Sequence, residues 1–177
     1  MKKLLFIALF YSFSSYAQEL EESKIDEFTG TVVKRTTWEK ISSRFTAKTF
    51  FRISRLDTLY MLDWKYSSDY IFGVAEGSKL MLKLENDSIY TLINVSPSVA
   101  SRGGGRPDFW RGSVGLSDDY GISTSYVSIN DPTLAILKKH KVVKFRFYTT
   151  KGYIEEDVME DSTHRIGRGV KIVHLKD

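Results

Sequence analysis

The side chains best placed to bind something lie in one glycine-rich stretch. Arg102, Arg106 and Arg111 stand there with Phe109, Trp110 and Tyr120, around Gly103-Gly104-Gly105. A guanidinium offers a planar fork of N–H donors and stacks on aromatic faces. The set can therefore close on a sugar, a peptide carboxylate or a partner protein. Three successive glycines cannot hold a strand interior cheaply, so 96–121 reads as a long loop with an aromatic end. Loops of this kind carry binding residues, although an idle surface loop with its aromatics tucked onto the core is the plainer account. The stretch is no phosphate cradle. It lacks a Gly-Lys-Ser/Thr ending and does not run from a strand straight into a helix.

Catalytic patterns are weak elsewhere. The three histidines are His140, His164 and His174, and none belongs to a His-Glu-x-x-His pair or another close metal-ligand spacing. Gly112-Ser113-Val114-Gly115 puts glycines near a serine without the Gly-x-Ser-x-Gly spacing of a nucleophile elbow. Asp118-Asp119 is the carboxylate pair nearest the aromatic loop, and aspartate is a common turn former. With no cysteine, thiol catalysis and thiolate metal sites are excluded. The residues call for no metal and no cofactor. They point to a non-enzymatic binding or envelope accessory protein. The alternative is a secreted hydrolase acting on a glycan or peptide, with converging carboxylates or a Ser–His pair.

The address is clearer than the chemistry. Lys2-Lys3, an apolar run over Leu4 to Phe13 and small residues at Ser15 and Ala17 give the order of a secretory signal peptide cut before Gln18. A ten-residue apolar run is about half of what a bilayer-spanning helix needs. The expected organisation is a signal peptide over 1–17, a polar N-terminal arm over 18–26 and one β-rich domain over 27–177. The mature protein is then periplasmic or extracellular, with no stable membrane insertion. Lys2 and Lys3 leave with the leader, and the net charge falls from +4 to +2. Acids and bases alternate along the rest, with no long like-charge tract to suggest nucleic acid. The partners in keeping with this chemistry are a glycan, a peptide or an envelope protein.

The elements that must hold these residues are mostly strands. Phe51 and Ile53 alternate with Arg52 and Ser54. After Leu56-Asp57-Thr58, Tyr60, Leu62, Trp64 and Tyr66 share one face and Asp63 and Lys65 the other. Leu80, Leu82 and Leu84 lead through an Asn86-Asp87 turn to a return strand with Ile89, Thr91 and Ile93 in phase. Ile122 to Ile129 reads as another strand. Asn130 or Asp131 caps a short helix with Pro132 at its first position and Leu134, Ile136 and Leu137 inward. Lys138, Lys139 and His140 close that helix, where positive charge complements the dipole. Asp161 to Leu175 reads as a last helix with Ile166, Val170 and Val173 inward. Gly167 and Gly169 weaken it by about 1 kcal/mol each. The fold class is mainly β, an antiparallel sandwich or open barrel, with one or two short helices near the C-terminus.

The last hairpin can be registered from sequence. Pairing Lys144 with Asp157, Arg146 with Glu155 and Tyr148 with Tyr153 puts two opposite-charge pairs and one aromatic pair on the solvent face. A slip of one residue would turn the return strand's apolar positions outward. Glu156 then falls on the apolar face opposite Phe145, and is expected at the sheet rim. The run from Lys144 to Glu155, preceded by a capped helix, resembles a closing module of small exported proteins of Bacteroidetes. Lys79-Leu80-Met81-Leu82-Lys83-Leu84 and the Ala17-Gln18 junction are similar to the same group. The resemblance implies compartment and fold. That group carries no known activity, so no site residue transfers. The two glycines of the C-terminal segment depart from the plain helix usual there.

Overall fold

The computed structural model describes residues 18–43, 48–102 and 120–175. Among them run thirteen strands: β1 (Leu20–Ile25), β2 (Val32–Thr36), β3 (Glu39–Ser43), β4 (Lys48–Leu56), β5 (Leu59–Ser68), β6 (Gly73–Val74), β7 (Lys79–Leu84), β8 (Ile89–Asn94), β9 (Ser98–Val99), β10 (Ser101–Arg102), β11 (Tyr120–Val127), β12 (Val142–Thr149) and β13 (Gly152–Asp157). One α-helix, α1 (Arg165–His174), follows. Eleven strands form one antiparallel sheet in the order β1-β2-β4-β5-β11-β8-β7-β12-β13, with β3 also on β4 and β10 also on β11. The mainly β, antiparallel architecture expected from the alternation is therefore present.

The sheet is strongly curled. Four strand spacings separate β5 from β12, about 19 Å if the sheet were flat. Yet the Trp64 ring on β5 lies 4.8 Å from Phe145 on β12, edge to face, and Tyr66 lies 5.0 Å from Phe147. The concave face holds these rings with Phe51, Ile53, Leu62, Leu80, Leu82 and Leu84, all fully buried, and α1 adds Ile166, Val170 and Val173. The curl stops short of a closed barrel. At the gap, Met159 N–H donates to the Ile41 carbonyl at 3.0 Å, and Ser42 Oγ donates to the Glu156 carboxylate. Glu156 lies on the terminal strand β13, as expected of a rim residue, but it is buried there as a clasp between β3 and β13. The hydroxyl of Ser42 gives one oxygen of this carboxylate a donor on the apolar face.

The closing hairpin has the expected register, from Lys144↔Asp157 through Arg146↔Glu155 to Thr149↔Gly152. Arg146 Nε donates to Glu155 Oε2 at 2.7 Å, and Gly152 carries the positive φ of 112° that ends the turn. The β4–β5 hairpin likewise turns at Asp57, with φ 51°.

Several expectations need correction. The 18–26 arm is polar, but Leu20–Ile25 pairs with β2 as a charged edge strand, and the Gln18 side chain is buried. On β8 the inward residues are Tyr90, Leu92 and Asn94. Thr91 and Ile93 pair with Met81 and Lys79 on the outer side, and Ile89 is exposed. The helix after Asp131 shrinks to a 3-10 turn over Ala135–Lys138. Leu134 sits at φ 51° and breaks the helical path, while Asp131 accepts from the Thr133 and Ile136 N–H groups. The last helix starts at Arg165, after a separate 3-10 turn over Glu160–Ser162. Asp63 and Lys65 face outward as expected but are covered. Trp38 lies over Arg52 and Lys65, 4.7 and 4.2 Å from ring centre to charge. Arg52, Ser54 and Ser125 all donate to Asp63.

Among the described residues, Tyr126 on β11 is one of several polar misfits in the interior. Tyr126 is fully buried and its hydroxyl has no hydrogen-bond partner, and this burial pushes its pKa far above the ordinary phenol value. An unsatisfied buried hydroxyl costs more than the hydrogen bond it fails to make. Tyr126→Phe is therefore expected to hold or raise stability by about 1 kcal/mol. A urea midpoint clearly below the parent's would contradict this.

Candidate functional site

The neck of the arginine loop is built by a two-residue ladder. Ser101 pairs with Gly121 and Arg102 with Tyr120, so two of the six expected binding residues stand directly opposite each other. Arg102 is exposed, and Tyr120 is half-buried and packs against the core. Arg106, Phe109, Trp110 and Arg111 lie outside the described residues, as do Ser113 and Asp118-Asp119. The long 96–121 loop is also shorter than expected, because β9 and β10 occupy its first turn and β11 begins at Tyr120.

Short backbone ladders tie this neck to the closing hairpin. β6 pairs with β9, Gly73 opposite Val99 and Val74 opposite Ser98. Ala100 N–H then donates to the Phe72 carbonyl at 2.8 Å. On its other side Gly73 accepts from Thr150 N–H at 2.8 Å and donates to Thr150 Oγ1 at 2.9 Å. A Cβ at Gly73 would lie 3.2 Å from the Thr150 methyl, so a glycine allows this close approach. Val99 and the hairpin turn are therefore about two strand spacings apart, or ~10 Å. The loop neck and the Tyr148–Tyr153 end of the hairpin share one end of the molecule.

That end exposes large apolar groups. Tyr70 is 42%, Ile71 52%, Val99 73% and Tyr153 59% exposed. Beside them, Arg146 lies over the Tyr153 ring at 4.5 Å, and Tyr148 is 6.1 Å from Tyr153. The outer face of β7, β12 and β13 continues into a shallow groove of about 430 Å³ with Met81 and Ile89 along it. Its charges are balanced: Lys144 pairs with Glu155 and Asp157, Arg146 with Glu155, and Lys83 with Asp87. The Arg146 hydrogen bond, with the Lys144 and Arg146 charges, holds the Glu155 carboxyl below its ordinary pKa. An apolar, aromatic and arginine-bearing surface of this kind can seat a protein segment. Among the described residues this surface shows no nucleophile–base pair.

The histidines do not form a metal site. Tyr60 Oη and His174 Nδ1 are 2.9 Å apart, and His140 Nδ1 is 3.9 Å from Glu85. No group of three His, Asp or Glu among the described residues is placed to hold a metal. Among the described residues no helix is long and apolar enough to cross a membrane. Sequence reasoning missed Tyr70, Ile71 and Val99. Their exposure depends on β6 lying between β9 and the hairpin turn, and a two-residue strand leaves no periodic signal. No protein-family model matches this chain, and no curated protein and no solved structure matches it.

Proposed function

We propose that the chain is an exported, non-enzymatic binding or envelope accessory protein that holds a partner protein through the end built around β6. The leader pattern over 1–17 supports export. The observation that carries the binding reading is the concentration of exposed Tyr70, Ile71, Val99 and Tyr153 at one end, next to Arg102 and Arg146. Protein interfaces favour this composition of tyrosine, arginine and aliphatic groups, with few lysines and carboxylates at the centre. A glycan-binding reading has less support, because Arg146 already covers one face of the Tyr153 ring.

Replacing Ile71 and Val99 with glutamate tests this. Both side chains are exposed, so the double variant should melt within a few degrees of the parent. The parent should co-purify with a partner protein from the exported fraction and the double variant should not, and the intact mass there should begin at Gln18. Undiminished co-purification, or a mass that retains Met1 to Ala17, would contradict the proposal.

A further inference from the structure

A second surface carries a different chemistry. Lys138-Lys139-His140-Lys141 forms a short basic run that starts at the last residue of the 3-10 turn, and Arg168 and Lys171 sit three residues apart on α1. The two segments are far apart in sequence. They meet because position 167 is glycine: a Cβ there would stand 2.2 Å from the Leu137 carbonyl oxygen. Between them opens a cleft of about 400 Å³, with His140 and His164 also on its wall.

The cleft is unbalanced in charge. Lys139, Lys141, Arg168 and Lys171 make no ion pair among the described residues, in contrast to the neutralised groove on the outer face of β12. Glu85 is the one acid on the cleft wall. Its carboxylate is engaged, accepting from Lys141 N–H at 3.3 Å and lying 3.9 Å from His140. Lys138 is drawn away toward the Tyr60 ring, 5.9 Å from its centre. Glu39, which feels the charge of Arg168, is held by Arg165 at 3.0 Å.

Arg168 stands half-buried on the cleft wall beside these lysines. Its Nε is buried and has no hydrogen-bond acceptor. A guanidinium is the group that best matches an oxyanion in two-point geometry. Lysines around it add point charges without demanding direction. A phosphate has enough oxygens to accept from the Arg168 fork and from flanking lysines together. The cleft exceeds what a bare anion fills and lies within the size range of small-molecule sites.

We propose that this cleft binds a phosphate group carried on a small organic molecule or on a lipid headgroup. The site is separate from the β6 end, so it stands or falls independently of the partner-protein reading. Its test is calorimetric titration of the mature protein with inorganic phosphate and with glycerol 3-phosphate. A second arm is sedimentation with phosphatidylcholine vesicles, with and without phosphatidic acid. The proposal expects saturable binding in the soluble arm, the vesicle arm or both, weakening as ionic strength rises. Arg168→Gln should weaken it by about tenfold or more. The exposed pair Lys139→Gln and Lys171→Gln should do the same without touching the core. Lys79→Gln on β7, which removes a single charge as Arg168→Gln does, should leave it intact. Binding in the soluble arm alone identifies a free phosphate compound, and binding only to phosphatidic acid vesicles identifies a headgroup. No binding in either arm, or equal weakening by Lys79→Gln, would overturn the proposal.

Discussion

Gly167→Ala should destabilise this protein, although the same change in an exposed helix normally stabilises it. Alanine is favoured over glycine by about 1 kcal/mol within a helix. Here the added Cβ would lie 2.2 Å from the Leu137 carbonyl oxygen and 3.3 Å from its carbon. Backbone cannot swing aside as a side-chain tip can. The helix must therefore back away from the 3-10 turn, loosening Ile166, Val170 and Val173 against the sheet. Overpacking of this kind costs about 1–3 kcal/mol, occasionally more, and should outweigh the helix propensity gained. Chemical denaturation should show a lower midpoint with an unchanged slope. Gly169→Ala also meets tight contacts, Gln18 Nε2 at 2.6 Å and Ile53 Cγ1 at 2.8 Å. Both of these are side-chain atoms, so the loss should be smaller. Equal or greater stability for Gly167→Ala would mean that α1 does not pack as described.

Trp64→Ala should be the most damaging single core change. Trp64 is fully buried on β5 and meets Phe145 at 4.8 Å and Phe147 at 6.4 Å across the curl of the sheet. Together with Tyr66, which meets Phe147 at 5.0 Å, it joins the two halves of the sheet. Truncation of a buried tryptophan costs about 3–5 kcal/mol. For a domain of this size, the melting temperature should fall on the order of 10 °C. Trp64→Phe should cost less than volume alone implies. The indole N–H is buried with no acceptor, and phenylalanine removes that unpaired donor along with the lost ring. A mild effect of Trp64→Ala, within about 1 kcal/mol, would show that the sheet does not fold its two halves together there.

The sequence carried most of the fold wherever one parity of a strand was clearly apolar and the other clearly charged. The β12–β13 register is the best case, because Lys144, Arg146, Glu155 and Asp157 can satisfy one another in one alignment only. β8 was ambiguous for the opposite reason. Ile89, Thr91 and Ile93 make an apolar parity as good as Tyr90, Leu92 and Asn94. What turns Tyr90 and Asn94 inward is tertiary: Tyr90 Oη reaches Asp131, and Asn94 Nδ2 donates to the Ala75 carbonyl. The two glycines of α1 argued against a helix by propensity, yet they are what let its backbone approach Leu137 and Gln18. Glu156 looked misplaced because its donor, Ser42, lies 114 residues away.

The candidate site was legible only in part. Arg102 and Tyr120 were marked by their company of arginines and aromatics, and the structure sets them face to face at the loop neck. The link from that neck through Gly73 to Thr150 is made of backbone hydrogen bonds and one methyl contact, which composition cannot reveal. The basic cleft hid in the same way. Lys138, Lys139 and His140 read as a helix-end charge cluster, and only packing at Gly167 brings Arg168 and Lys171 beside it.

The claim that the β6 end holds a partner protein is tested most directly by crosslinking in the living cell. A photoactivatable residue would be placed at Val99, at Ile71 and, as a control on the distant edge strand, at Ile25. All three positions are exposed, at 73%, 52% and 66%. The account predicts a discrete protein adduct from positions 71 and 99, absent from position 25 and lost from position 71 when Tyr153 is changed to glutamate. Adducts of equal yield at all three positions, or none at 71 and 99, would contradict it.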